Sequence, residues 1–294
     1  MKVLCAVDGS KHSKWVLEAL RRWSFPLGST LVLLHTVDPA KYKAHGGGEE
    51  EGGDAMRQAL SLAEETGRTM LEREKAALSP VWGAVDTRLV RGHAAETIVG
   101  TADQLKADLI VMGSRGLTDV RAFLLGSVSR KVVVHAGCPV LLVKKRVPVL
   151  RRIVIGMDSS KDARAGLEFL LQMPVPEASH FTVVSVVPPL PIEASLQPSL
   201  EGALLDQVRA PFIEEANTIA KQAAERIAKA GFTVTTTVVH GHPSHEIVKL
   251  AEAERADLVV VGSRGLSDTT RFLIGSVSDG VIKYTPCSVL VFRR

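Results

Sequence analysis

Glycine and serine recur in this chain at spacings that suit the binding of an anion. The pattern Gly-x2-Gly-x9-Gly-Ser occurs at residues 113–127 and again at residues 262–276. Glycines let backbone N–H groups approach a phosphate with no Cβ in the way, and a helix that begins at the final Gly-Ser adds unpaired N–H groups. The positions are Gly113, Gly116, Gly126 and Ser127 in the first half and Gly262, Gly265, Gly275 and Ser276 in the second.

A carboxylate accompanies each glycine pattern. Asp8 and Asp158 each follow the first apolar run of their half of the chain. An acid at the end of the first strand of an open α/β sheet can accept hydrogen bonds from ribose hydroxyls. One glycine pattern alone could merely shape tight turns, but two copies, each in register with an acid, favour a site for a phosphorylated nucleoside.

The two patterns belong to an internal repeat that covers most of the chain. Residues 107–133 align with residues 256–282 at an offset of 149, and 17 of the 27 positions are identical. Residues 2–10 match residues 152–160 in pattern, at an offset of 150. Each unit is too long for a solenoid repeat, so we expect two folding domains, residues 1–146 and 151–294, in keeping with the domain count for 294 residues.

Short apolar runs and amphipathic stretches alternate within each unit, which predicts an open parallel sheet of right-handed βαβ units. The predicted strands are residues 3–7, 31–37, 85–90, 109–112 and 140–143, and then 153–157, 182–187, 234–239, 258–261 and 289–292. The predicted helices are residues 14–23, 57–78, 95–105, 128–135 and 204–229. Two stretches, 45–54 and 188–198, are rich in glycine or proline and are expected to be loops. In such a sheet a ligand binds beyond the carboxyl ends of the strands, where the strand order reverses.

Composition limits the other functions. Lys and Arg number 36 against 32 Asp and Glu, a net charge of +4, and aromatic residues make up 4% of the chain, so nucleic-acid binding is not expected. Three cysteines without a CxxC pair indicate neither a disulfide framework nor a cysteine zinc site. The sequence contains no long apolar run, so we expect a cytoplasmic protein without membrane contact.

These residues together resemble the universal stress protein family in its tandem, ATP-binding form. The resemblance covers nearly the whole chain, and its most specific element is the glycine pattern in both halves. It implies two doubly wound, Rossmann-like α/β domains, each with five parallel strands in the order 3-2-1-4-5.

The resemblance also implies one ATP, with or without Mg²⁺, in each domain. The ribose-contacting acid would be Asp8 or Asp158, and the glycines and serines named above would bind the phosphates. The adenine-lining position falls on Thr36 and Val186, and the apolar residue before the first glycine falls on Met112 and Val261. Thr36 departs from the usual valine, so adenine packing is expected to be better in the second domain.

Family members of this type pair their domains through the fifth strands. Here the segments from Val140 to Val143 and from Val289 to Phe292 would make an intramolecular pseudo-dimer, and a further homodimer is open. No catalytic residue is assigned, because the chain has neither a Walker motif nor a nucleophile elbow. The expected function is a nucleotide-responsive stress regulator; the alternatives are a slow ATP-hydrolysing enzyme and an interaction scaffold with vestigial sites.

Other conspicuous residues have two interpretations each. Cys138 and Cys287 are expected to be core residues rather than redox thiols. The histidines at 240, 242 and 245 fit a loop at the rim of the cleft better than a metal site. Arg115 and Arg264 lie inside the glycine loops, where they could either neutralise phosphate charge or be solvated.

Overall fold

The computed structural model describes residues 1–42, 51–117, 125–173, 175–189, 203–264 and 274–293. The chain divides into two compact units, Met1–Pro148 and Val149–Arg294. None of the helices in these residues combines the length and the apolarity needed to cross a lipid bilayer.

The first unit alternates strands and helices along the chain. Its strands are β1 (Lys2–Ala6), β2 (Thr30–Val37), β3 (Ala84–Arg91), β4 (Leu109–Gly113) and β5 (Val140–Val143). Its helices are α1 (Lys11–Arg22), α2 (Glu51–Leu78), α3 (Ala94–Leu105) and α4 (Ser127–His135), and a 3₁₀ turn occupies Pro39–Tyr42.

All strand pairs of this unit are parallel, and their order is 3-2-1-4-5. Helices α1 and α2 contact each other and pack on β4–β5 and β2–β3, whereas α3 and α4 contact each other and cover the opposite face. Strands β1, β4 and β5 are buried between these layers, and Leu4, Ile110 and Leu142 are fully excluded from solvent. Each such side chain contributes about 1.5–3 kcal/mol by burial.

The second unit has the same plan. Its strands are β6 (Arg152–Gly156), β7 (His180–Val187), β8 (Thr233–His240), β9 (Leu258–Gly262) and β10 (Ser288–Phe292). Its helices are α5 (Lys161–Gln172), α6 (Ala203–Lys229), α7 (Pro243–Ala253) and α8 (Ser276–Tyr284). The parallel pairs again give the order third-second-first-fourth-fifth, so the predicted doubly wound α/β fold is confirmed in both units.

One predicted loop is partly wrong. The glycine-rich stretch 45–54 was expected to lack secondary structure, but Glu51 to Asp54 form the first turn of α2. Each glycine costs a helix about 1 kcal/mol relative to alanine, and the packing of α2 against β2 and β3 offsets this cost. Residues 45–50, like residues 190–198 of the proline-rich stretch, lie outside the described residues.

The segment that leaves β5 is bound to the first unit. The indole Nε1 of Trp23 donates a 3.0 Å hydrogen bond to the carbonyl of Val147. Arg146 pairs with Glu18 of α1 at 2.7 Å. Trp82 reaches the same helix, where its Nε1 donates to the carbonyl of Leu20 at 2.9 Å. These contacts fix where the chain leaves the first unit.

Candidate functional site

Strand β1 lies between β2 and β4, and the carboxyl ends of these three parallel strands lie at the same edge of the sheet. Ala6 pairs with Leu34 of β2 and with Met112 of β4. If these registers are continued by two residues, Asp8 lies level with Thr36 on one side and with Ser114 on the other. The strand order therefore brings together the acid that follows β1 and the glycine loop that follows β4, as expected at a switch point of the sheet.

Asp8 is held by the turn that leads into α1. Its Oδ1 accepts a 3.0 Å hydrogen bond from the backbone N–H of Ser10, and its own N–H donates to Ser13 Oγ at 3.3 Å. Gly9 adopts a φ of +78°, a conformation that L side chains rarely take. The turn orients the carboxylate, whose other oxygen is directed at the glycine loop.

Gly116 and Asp8 are in close contact. A Cβ placed on Gly116 would lie 2.8 Å from Asp8 Oδ2, a separation that real Cβ atoms do not tolerate. A side chain at this position would therefore have to push the Asp8 carboxylate aside. Gly113 is constrained by a different contact, because a Cβ placed there would lie 2.7 Å from the Cβ of His12 in α1.

The end of the glycine pattern folds back on its start. The N–H of Gly126 donates to the carbonyl of Ser114 at 2.9 Å, and Ser129 Oγ donates to the carbonyl of Gly113 at 2.9 Å. Ser114 and Ser129 are buried. These two serines were not singled out from the sequence, although both recur in the second half as Ser263 and Ser278, which is a signal that could have found them.

Helices α4 and α8 begin differently from α1 and α5. Ser10 and Ser160 cap α1 and α5, with their hydroxyls accepting from the N–H groups of Ser13 and Ala163. Gly126 and Gly275, the N-cap residues of α4 and α8, supply no side-chain cap. Backbone N–H groups at the start of α4 and α8 are thus available to an anion, and Ser127 and Ser276 are exposed there.

The second unit repeats most of this arrangement. Ser160 N–H donates to Asp158 Oδ1 at 3.0 Å, and Gly275 N–H donates to the carbonyl of Ser263 at 2.8 Å. Gly262 ends β9, and Ser278 Oγ donates to its carbonyl. Gly265 lies outside the described residues.

The two predicted adenine-lining positions, and the two apolar residues that precede the first glycines, lie inside strands. Thr36 and Val186 are the penultimate residues of β2 and β7 and are half-buried. Met112 and Val261 are buried in β4 and β9. Because Gly156 pairs with Val184, Val186 lies level with Asp158 when the register is continued, as Thr36 does with Asp8.

Histidines occupy the rim of the carboxyl edge. His93 and His242 are the N-cap residues of α3 and α7, and His93 Nδ1 lies 2.9 Å from Asp38 Oδ2. Burial opposes ionisation of Asp38, but hydrogen bonds from His93 and from the N–H of Ala40 lower the pKa of this carboxyl overall. Within the described residues, no three His, Cys, Asp or Glu side chains are grouped so that they could hold a metal ion.

Burial raises the pKa of the thiols of Cys5 and Cys138. Cys5 and Cys287 are buried, and Cys138 is half-buried. Burial, with the nearby charges of Asp103 and Asp108, raises the pKa of Cys138 to about 12. A thiol reacts through its thiolate, which is scarce at neutral pH for such a group.

Similarity to known proteins covers both units. The family model described as the universal stress protein family matches residues 1–144 and 150–293. A universal stress protein of Thermus aquaticus is 38% identical over 142 residues, which is 48% of this chain and 97% of that protein. One from Mycolicibacterium smegmatis is 26% identical over 309 residues, covering 99% of this chain and 96% of the relative.

A solved structure has the same fold over the whole chain. The crystal structure of a universal stress protein from Archaeoglobus fulgidus covers 100% of this chain and 96% of its own, with a TM-score of 0.65 at 22% identity. At that identity the likeness establishes the fold alone. The family model matches both units, and the chain therefore belongs to the universal stress protein family.

Proposed function

We propose that each unit binds one adenine nucleotide, ATP, at the carboxyl edge of its sheet, and that the protein is a nucleotide-responsive stress regulator of the cytoplasm. The observation that carries this is the contact between Asp8 Oδ2 and the Cβ position of Gly116, 2.8 Å apart. It supports the proposal because the acid proposed to accept from the ribose lies directly beside the glycine loop proposed to bind the phosphates.

The ligand would extend from the acid to the helix. The ribose hydroxyls donate to Asp8 or Asp158, and the phosphates take the N–H groups at the start of α4 or α8, with Ser127 or Ser276 donating as well. The adenine packs at Thr36 or Val186, beside Met112 or Val261. Gly265 is assigned to the phosphates of the second site by its place in the glycine pattern. Mg²⁺, if bound, would be held by the phosphates themselves.

The first test is the identity and the number of the bound nucleotides. Ligand released by acid from gently purified protein should be an adenine nucleotide, and calorimetry on stripped protein should give two ATP per chain. Gly126→Val and Gly275→Val each place a branched side chain at the buried N-cap of α4 or α8, so each should remove one equivalent. Gly83→Val is the matched control, since a Cβ there meets no atom within 4 Å.

Other results would change the proposal. Fewer than one adenine nucleotide per chain at saturation would contradict it and favour the scaffold. Equal affinity for GTP would refute adenine recognition. Release of phosphate from ATP in the presence of Mg²⁺ would favour the hydrolytic enzyme if Gly275→Val reduces its rate to that of a sample without protein. Loss of ATP binding in EDTA would show that ATP binds as its Mg²⁺ complex.

A further inference from the structure

A second polar cluster lies at the carboxyl edge of the second unit, next to the glycine loop. Asp162, in the first turn of α5, accepts a 2.9 Å hydrogen bond from Ser263 Oγ through Oδ2. The same oxygen lies 3.4 Å from Nε of Arg264. Arg293, which follows β10, donates from Nε to Ser263 Oγ at 3.3 Å.

The charges in this cluster are unequal. Two guanidinium groups face a single carboxylate among these four residues, and Asp162, Ser263 and Arg293 are buried. Burial, and then the positive charge of Arg264, lowers the pKa of Arg293, against the opposing effect of Asp162. The two guanidinium groups therefore repel each other, while the Asp162 carboxylate attracts both of them.

Arg264 is the guanidinium that is suited to move. Its side chain is 26% exposed and its contact with Asp162 is the longest in the cluster. It also belongs to the glycine loop, one residue after Ser263. If Arg264 leaves, Asp162 keeps the hydroxyl of Ser263, which still accepts from Arg293, so the carboxylate is not left without a partner.

We propose that Asp162 competes with the phosphates of a bound nucleotide for Arg264 in the second site. Asp162 holds Arg264 when the site is empty, and a nucleoside polyphosphate draws Arg264 away. This inference rests on the proposed function. It makes Asp162 a specificity-determining residue, because its ion pair with Arg264 opposes only those ligands whose phosphates draw Arg264 away, and so reduces the preference for ATP over adenosine.

The first unit differs at this position. The repeat aligns His12 with Asp162, and both side chains pack through Cβ against the first glycine of their loop, Gly113 or Gly262. In the first unit, therefore, the position aligned with Asp162 carries no carboxylate that could compete for Arg115. The two sites should therefore discriminate between ATP and adenosine to different degrees.

The test compares ATP with adenosine in the full chain carrying Gly126→Val, so that only the second site is titrated. Asp162→Asn keeps an acceptor for Ser263 but removes the charge. It should raise ATP affinity about twofold to fivefold, the range expected for a partly exposed ion pair. Adenosine affinity should stay the same, because adenosine offers Arg264 no anion.

A double variant isolates the role of Arg264. Arg264→Gln should weaken ATP binding and spare adenosine, and Asp162→Asn should have no further effect when Arg264→Gln is present. Glu168→Gln is the matched control: it lies on the same helix and pairs with Arg226 at 2.7 Å, away from the loop. It should change neither affinity.

Several outcomes would overturn the inference. A parallel loss of ATP and adenosine binding in Asp162→Asn would mean that Asp162 only supports the loop. If Asp162→Asn leaves ATP affinity unchanged, or raises it equally when Arg264→Gln is present, Asp162 does not compete with ATP for Arg264. If the chain that carries only Gly126→Val binds ATP, these results refute the competition by Asp162 and leave the proposed function standing. If that chain binds no adenine nucleotide, the proposed function fails as well. If Asp162→Asn does not fold, the reciprocal variant His12→Asp tests the same competition. In a chain that also carries Gly275→Val, it should lower ATP affinity in the first site, because it places a carboxylate at the position aligned with Asp162.

Discussion

At the scale of single residues, the two glycines of the first loop have different physical roles. Gly113 makes room for His12 of α1, so it is needed by the packing of the unit, whereas Gly116 makes room for the carboxylate of Asp8. The glycine pattern alone does not separate these roles, because both positions carry the same residue type.

Gly116→Ala should therefore damage binding and spare the fold. A Cβ at this position would turn the Asp8 carboxylate away and remove a charged hydrogen bond to the ribose, so we expect about tenfold or greater loss of ATP affinity in the first site. The measurement is calorimetry in the Gly275→Val chain. Gly83→Ala, in open space, is the control, and equal affinities in the two variants would contradict the role of Asp8.

At the scale of elements, the capped and uncapped helices divide stability from binding. Ser10 and Ser160 satisfy N–H groups of α1 and α5 and so stabilise the fold, whereas α4 and α8 begin at glycines that leave N–H groups available. Helices α3 and α7 also begin without a side-chain cap, so it is the glycine loops beside α4 and α8, and not the uncapped start alone, that distinguish the proposed sites.

Ser10→Ala should lower the free energy of unfolding by about 1 kcal/mol, the usual value of an N-cap. Ser127→Ala removes an exposed hydroxyl and should change stability by less than about 0.5 kcal/mol while weakening ATP binding. Urea unfolding followed by circular dichroism, with calorimetry for the ligand, measures both effects. If Ser127→Ala destabilises as much as Ser10→Ala, the division is wrong.

The elements themselves were largely predictable, because buried parallel strands are written as short β-branched runs. Helix α1 was expected from residue 14 and begins at Lys11, since its first turn is polar and its start is set by the Ser10 cap. Contacts such as that of Asp162 with Ser263 were not predictable, because they join residues 101 positions apart and depend on how α5 lies against β9.

At the scale of the whole molecule, the repeat produces two units of one topology whose sites are not chemically identical. His12 and Asp162 occupy matching positions, as do Thr36 and Val186. A duplicated fold can thus keep its strand order while the side chains at the strand ends diverge. The pairing of the units through the segments 140–143 and 289–292 stays a prediction.

ATP should raise the melting temperature of each unit through its own site. A ligand at about 100 times its Kd adds roughly 2.7 kcal/mol to the free energy of unfolding. Gly126→Val should remove this stabilisation from the first unit, and Gly275→Val should leave it in place there. A first unit that ATP stabilises equally in both variants would contradict a site in that unit.

The indole hydrogen bonds at the exit of the first unit have a practical consequence for such measurements. The chain has three tryptophans, Trp15, Trp23 and Trp82, and all belong to the first unit. Trp23 and Trp82 are buried and bonded to backbone carbonyls, so unfolding moves both rings into water. Intrinsic tryptophan fluorescence therefore reports on the first unit alone, provided that it is excited at a wavelength that the tyrosines, including Tyr284 of the second unit, do not absorb.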